Sequence, residues 1–579
     1  MAGLAGRAGR RPLAAGAAGW LLALLALLAG LAWSAPATAA APSAPQDPAY
    51  LGFFPPPETS GQMPVELFAD PRTTSRVTDI SFGVPFPPGC LSDPKLIALI
   101  DNTGKELPIH VKVLATWPPP VPHAGSIRVA LVQFRDLIAT SLPRTYTLRW
   151  GAPRKENEPD SWPARQQWLP VEDKDFMGTM TMEPPVYAVL PHKWLGKSLI
   201  RGRILPEGAD LKWEFYDHNM KNYFLTSINK IDPRVEKKFF SEFTKDLECW
   251  LFDRSSAFFV TYIRQGGLEP LRQGVRAAEF YGAHVQPNGK FSLLAPSAPV
   301  DVKYGYQECL AINYWLTGDE RMLKDSQYVL KLLDAWDPVL TPSRTFWTER
   351  HLAFAMLNAT VAYELTGDPK LLERARFLFE AGYNAQVNPP PGAPKDGCMI
   401  HTAKQGAEES NNGPGWICSS WMSALAVDAM LRYYIVSADP RVPQSVEMLA
   451  NSIVRHGMYV WPKWKQYGEK YPVSNAYYLY SSQPPTQREA GEYTDMQHSL
   501  DVLKTIMAAQ YFLRKQGRSD PGLNRVQEEL LHSTKRFLEI AHVKNGPAAG
   551  SPEYPVWPKR RFNWLFRTTA DLDWFSNQK

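Results

Sequence analysis

Cysteine is scarce in this 579-residue sequence: only Cys90, Cys249, Cys309, Cys398 and Cys418 occur. There is no C-x-x-C pair and no His/Cys cluster at zinc-ligand spacing, which argues against a disulfide-built scaffold and against structural zinc. An odd count leaves at least one thiol free, and Cys398 with Cys418 is the pairing that one intervening loop best permits. Charge of one sign is also lacking. The formal net charge of +5 is small for this length and gives no reason to expect a nucleic-acid partner. No G-x-S-x-G elbow, Walker loop, G-x-G-x-x-G or H-E-x-x-H is present, so the sequence calls for no nucleotide, dinucleotide or metal cofactor. Asp301, Asp319 and Asp495 do not form an EF-hand loop.

Long apolar runs are missing too, with one exception at the start. Arg7, Arg10 and Arg11 precede an apolar run from Trp20 to Trp33, and Ala37-Thr38-Ala39 offers small residues for cleavage. A basic segment, an apolar segment and an A-x-A site in that order read as a secretory leader over 1–39. The leader holds three Arg and no acid, so the rest of the chain carries +2. The Arg10-Arg11 pair permits a twin-arginine route, although its flanks match that signal poorly. An uncleaved membrane anchor is the competing reading, because apolar residues continue to Ala41. No cysteine follows the run to carry a lipid. The expectation is an exported, periplasmic or extracellular protein that acts as a monomer.

What is abundant is proline (52) and aromatic side chains, with 19 Trp and 24 Tyr. Trp and Tyr pair a flat apolar face with a polar tip, which suits core packing and equally suits stacking on sugar rings. Residues 40–62 are Pro/Ala/Ser-rich and read as a mobile linker. Between 63 and 150 come short β-rich runs, Pro64–Phe68, Arg76–Phe82, Lys95–Ile100, Ile109–Trp117, Ser126–Gln133 and Thr145–Trp150. Turn signals separate them, as in a small β-barrel or sandwich. Residues 151–300 read as a mixed, β-rich connecting region, with strand-like runs at Leu211–Tyr216, Tyr223–Ile228 and Phe258–Ile263.

From about 301 to 545 the pattern is helical and repeats. Leu316-Thr317-Gly318-Asp319 and Leu365-Thr366-Gly367-Asp368 sit at the same phase, 49 residues apart, with weaker echoes at 436–440 and 517–521. Gly in the left-handed region ends one helix and Asp caps the next, so each unit is a helical hairpin. Hairpins at this spacing, with long loops between, predict an α/α toroid whose inner helices are fed by rim loops. Residues 546–579 would pack on it as a tail. The fold class expected is therefore multidomain α+β, a small β-barrel followed by a toroid.

The loops that feed the first helix of each hairpin are rich in reactive side chains. They read Lys303-Tyr304-Gly305-Tyr306-Gln307-Glu308, then Thr348-Glu349-Arg350-His351 after Trp347. The third holds His401, Lys404, Asn411, Asn412, Trp416 and Trp421, and the last runs from Glu492 through Asp495 to His498. Histidine, cation, carboxylate and aromatic at one phase of a repeat point to a shared polar cleft. Each residue alone could equally be a helix-end or core group. His218, Tyr281 and His284 lie in aromatic contexts from which a rim loop could reach the cleft.

Ser81-Phe82-Gly83-Val84-Pro85-Phe86-Pro87-Pro88-Gly89, Asp101-Asn102-Thr103-Gly104-Lys105-Glu106-Leu107-Pro108, and Trp117 with Gly125-Ser126-Ile127-Arg128-Val129 occur in that order. Over 63–150 this resembles the RIFT-type barrel of exo-rhamnogalacturonan lyases, the family-26 kind of polysaccharide lyase. The resemblance implies a following α/α barrel and action on a uronate-containing glycan. The sequence departs from the family in having fewer than 40 residues after Ala541, where members carry a β domain. It also inserts Pro118–His123 where they have a short turn.

Three readings follow. In a lyase, His401 or His351 takes the C5 proton, Arg350 and Lys404 clamp the carboxylate, and Tyr304 or Tyr306 protonates the leaving oxygen. Trp347, Trp416 and Trp421 serve as sugar platforms. In a glycoside hydrolase, Glu349 faces Asp495, with Glu308 in reserve. The third reading is a glycan-binding envelope protein without catalysis.

Overall fold

Every β run read from the N-terminal sequence becomes a strand: β1 (Gly61–Ala69), β2 (Arg76–Pro85), β3 (Ile97–Ile100), β5 (His110–Thr116), β6 (Ile127–Ile138) and β7 (Arg144–Trp150), with a short β4 (Glu106–Leu107) between. They come from a computed structural model, which describes residues 45–159, 167–173, 179–228, 250–292, 300–340, 348–403, 405, 415–461, 472–483, 498–540 and 560–578. The leader and Cys249 lie outside these. Alternation fixes the buried face: Met63, Val65 and Leu67 point inward while Gln62, Pro64 and Glu66 point out. Strands β8 (Leu169–Asp173) and β9 (Thr179–Glu183) pair with each other, and β10 (Val186–Val189) returns to pair antiparallel with β1. The sheets are β10-β1-β7-β3-β4 and β2-β6-β5, so the first is completed well beyond residue 150.

Two expectations are corrected. The linker is anchored in its second half: Asp47 caps a short helix α1 (Pro48–Leu51), Tyr50 and Phe53 are buried, and the Tyr50 hydroxyl donates to the Ile435 carbonyl at 2.8 Å. Two aromatics outweigh the Pro-rich composition around them. The strand-like runs of the middle region are helical. After α2 (His192–Lys197), Leu211–Trp213 forms a 3-10 turn leading into α3 (Glu214–Ile228), and Phe258–Ile263 lies within α4 (Arg254–Gln265). Burial of α4 on nearly every side overrides the β propensity of its Phe, Val, Thr and Ile. Gly266 and Gly267, both with positive φ, then turn the chain into α5 (Leu268–His284). This hairpin hides behind a β-like composition.

Four further hairpins follow, α6 (Gln307–Thr317) with α7 (Arg321–Ala335), α8 (Glu349–Thr366) with α9 (Pro369–Val387), α10 (Ser420–Ser437) with α11 (Arg441–Ser452), and α12 (Ser499–Lys515) with α13 (Pro521–Ile540). Gly318, Gly367 and Ala438 end the first helix of each of the first three hairpins in the left-handed region. The carboxylates of Asp319, Asp368, Asp439 and Asp520 accept from the backbone at the start of the next helix. The first helices pack in series, α6 on α8, α8 on α10 and α10 on α12, and are buried almost throughout.

Their shared interior is ionic. Asp428 accepts from Arg201 and Lys504, each at 2.7 Å, and Glu364 from Arg432 at 2.7 Å and Arg128 at 3.0 Å. The tail, helices α14 (Arg560–Phe566) and α15 (Leu572–Asn577), closes this network: Arg567 donates to Glu308 at 3.1 Å, and Asp571 accepts from Lys504 at 2.9 Å. Among the described residues no helix is long and apolar enough to cross a membrane.

Candidate functional site

Glu349 opens α8, where the positive end of the helix dipole favours a carboxylate. It is fully buried, and both its oxygens are engaged. Oε1 accepts the Ser419 N–H at 2.7 Å, and Oε2 faces His401 Nε2 at 3.1 Å. The other ring nitrogen, Nδ1, lies 3.1 Å from the Thr402 carbonyl. Each nitrogen of His401 thus faces an oxygen, the Glu349 carboxyl on one side and the Thr402 carbonyl on the other. His401 and Ser419 come from one short ladder, β11 (His401–Thr402) against β12 (Trp416–Ser419), and the Cys398–Cys418 disulfide ties its two sides together. The pairing read from the sequence is present, and Cys90 and Cys309 are buried thiols.

Next to Glu349, the Arg350 guanidinium lies 6.0 Å from the ring centroid of Trp421, in the first turn of α10. Trp421 also stacks on His498, at 4.6 Å with 16° between planes. The Asp501 carboxylate holds His498 Nδ1 at 3.0 Å, one helical turn into α12. In the tautomer that donates from Nδ1 to Asp501, the basic lone pair is on Nε2. Trp564 of the tail and Tyr478 complete the aromatic wall around this imidazole, 5.2 and 5.6 Å away. His351 points to a different neighbour: Nδ1 bonds Thr348 Oγ1 at 2.7 Å and Nε2 lies 3.4 Å from Asp301. Burial lowers the His351 pKa, outweighing the pull of Asp301.

The start of α6 supplies the tyrosines. Tyr281 serves the backbone, donating to the Tyr304 carbonyl at 2.7 Å and accepting the Tyr306 N–H at 3.0 Å. That brace sets the turn from which Tyr306 enters the interior beside Phe354. The Tyr306 hydroxyl is buried, has no hydrogen-bond partner among the described residues, and is pushed well above the ordinary phenol pKa by burial. Phe252 touches Phe354, Trp421 and Trp564, and so joins the tyrosine side to the His498 side.

Glu349, Arg350, His351, Trp421, His498, Tyr304 and Tyr306 thus lie at or just before the first turns of α6, α8, α10 and α12, and His401 reaches Glu349 from β11. Trp416, half-buried on β12, borders the group. Glu308 stands apart in the ionic interior with Arg201, Arg432 and Arg567. His284 is held by the Phe280 carbonyl and ring within α5, and burial lowers its pKa. His218 bonds Asn222 on the outer face of α3, at a surface cavity of about 600 Å³. Lys404, Trp347, Asn411, Asn412 and Asp495 lie outside the described residues. Sequence reasoning overlooked Asp501, Tyr478 and Trp564. Asp501 was within reach, since an acid three residues after His498 shares its helix face; Trp564 arrives from a tail with no periodic signal.

No family model matches the chain, and no curated protein matches it either. Among solved structures, a polysaccharide lyase aligns with a TM-score of 0.36 at 10% identity, over 62% of this chain and 96% of its own. At that score the likeness bears on neither reaction nor substrate.

Proposed function

We propose that this protein is an exported carbohydrate-active enzyme, a polysaccharide lyase that cleaves a uronate-containing glycan by β-elimination at the start of the inner helices. The same reading takes the N-terminal sheets as a RIFT-type barrel and the hairpins as an α/α toroid. The observation that carries it is the gathering of a carboxylate-oriented imidazole, a guanidinium and a proton-retaining phenol along one aromatic wall. His498 is taken as the base in preference to His401, because Asp501 orients its ring through Nδ1 whereas both nitrogens of His401 face oxygens of the protein. Arg350 neutralises the uronate carboxylate, which makes the C5 proton more acidic. Tyr306, whose raised pKa keeps it protonated, gives its proton to the leaving oxygen as the C4–O bond breaks. Trp416, half-buried on β12, is the sugar platform of this reading, while Trp421, 3% exposed and stacked on His498, holds that imidazole in place.

The test is ultraviolet absorbance from an unsaturated uronate when purified protein meets a panel of uronate polysaccharides. The expected result is a signal that His498→Ala and Arg350→Ala each abolish while the far-ultraviolet circular dichroism stays unchanged. Reducing sugar released without that absorbance would select hydrolysis instead, and binding without cleavage would select a glycan-binding protein. Either result overturns the lyase reading.

A further inference from the structure

A second feature with the chemistry of a sugar site lies at the other end of α6. Gly83 on β2 lets this helix rest on the sheet, since a Cβ there would come within 1.6 Å of the Trp315 carbonyl oxygen. Gly318 ends the helix with φ +75°, and a Cβ on it would stand 2.6 Å from Leu131 of β6. These two approaches hold the α6–α7 turn over the β2-β6-β5 sheet and leave a cavity of about 200 Å³ between them. That is too small for an extended ligand and of the order of a single sugar ring.

Its floor is polar and prepared. Ser81 and Gln133 are cross-strand partners, both 6% exposed, and the Gln133 amide donates to Ser81 Oγ at 2.8 Å. That bond leaves the amide carbonyl as an acceptor and the Ser81 O–H as a donor, with no other hydrogen bond to either among the described residues. Trp168 lines one side, its ring centroid 4.9 Å from the Arg321 guanidinium. The rim holds two cations against three carboxylates. Lys112 donates to Glu320 at 2.9 Å, and Arg321 pairs with Asp319 at 2.9 Å and Glu279 at 3.1 Å. Among the described residues that line the cavity both cations are paired, and the extra carboxylate disfavours an anionic ligand. An acceptor, a donor and an indole, with no unpaired cation at the described rim, match an uncharged polyhydroxylated ring with an apolar C–H face.

We propose that this cavity binds one neutral pyranose unit, as a carbohydrate site distinct from the candidate active site. The two lie at opposite ends of α6, whose 11 residues span about 16 Å. The proposal does not depend on the lyase reading, because its readout is binding.

Saturation-transfer NMR on the full chain, with methyl α-glycopyranosides of glucose, galactose and mannose as probes, tests it. At least one should receive saturation, and glucuronate added in excess should not displace it. Trp168 is only half-buried, so Trp168→Ala should fold and weaken binding about tenfold, while Trp168→Phe keeps most of it. Gln133→Leu, which preserves shape, should weaken binding similarly, with the thermal midpoint reporting on folding. His498→Ala should leave it unchanged. No saturation transfer to any of the three glycosides, binding undiminished in Trp168→Ala, or displacement by glucuronate would each overturn the proposal.

Discussion

The Glu349–His401 pair shows how a buried charge constrains its surroundings. The carboxylate has no water to fall back on, so removing only the imidazole strands it. His401→Ala is expected to cost about 3–5 kcal/mol in urea unfolding, because a buried charge then lacks its partner. Glu349→Gln combined with His401→Gln should recover much of that loss, since no charge remains to be compensated. A double variant as unstable as the single one would show that packing dominates the pair. His351 gives a pH prediction of definite sign. Its folded pKa is lowered by burial from the ordinary 6.5, with Asp301 pulling the other way. The unfolded chain therefore takes up the proton first as the solution is acidified. Stability is complete above pH 6.5 and declines as pH falls through 6.5 toward the folded value. His351→Gln should flatten that part of a stability–pH profile, measured by thermal midpoints at fixed ionic strength. The sequence disclosed most of these groups because they share a phase in the repeat. It did not disclose their partners: Glu349 and His401 are 52 residues apart and meet only through packing.

At the scale of elements, the hairpins were legible because their turns obey local chemistry. Gly318 and Gly367 occupy left-handed positions, and Asp368 with Pro369 starts the next helix as a cap and first-turn proline. The third turn breaks the rule with Ala438 at φ 51°. A Cβ in that region is strained by about 1 kcal/mol. Ala438→Gly should therefore stabilise the protein by about 0.5–1 kcal/mol, the entropy of the unfolded chain opposing part of the gain. A calorimetric midpoint that falls would mean the methyl group's packing outweighs the strain. The middle region was illegible for the converse reason. Phe258-Phe259-Val260-Thr261-Tyr262-Ile263 has strand composition, and only burial around the whole helix reveals why it need not alternate. The Gly266-Gly267 pair was the local clue that a turn, and so a hairpin, lay there.

At the scale of the whole molecule, sheets, hairpins and tail are joined through one buried ionic interior. The joint explains the N-terminal motif in physical terms. Arg128 lies 4.5 Å from both the Trp117 and Trp315 ring centroids, and its guanidinium reaches Glu364 on α8. The same motif residues thus fasten β6 to the helices. From the other end of the chain, Arg567 enters between Glu308 and Asp428, 3.1 and 3.8 Å away, over the face of Phe354. Together with Arg201 and Lys504 it outweighs the burial of Asp428 and holds that carboxyl well below the ordinary range. The tail is therefore part of the interior and not an appendage. Arg567→Met keeps most of the volume and removes the charge, which leaves Glu308 and Asp428 short of a cation. The expected loss is about 3–5 kcal/mol, with unfolding still a single transition by fluorescence and by circular dichroism. Glu308→Gln added to Arg567→Met should restore part of the loss, because it removes the carboxylate that Arg567→Met left short of a cation. Two separated transitions in Arg567→Met would mean that the tail and the hairpins unfold as independent units, and that the ionic interior does not couple them.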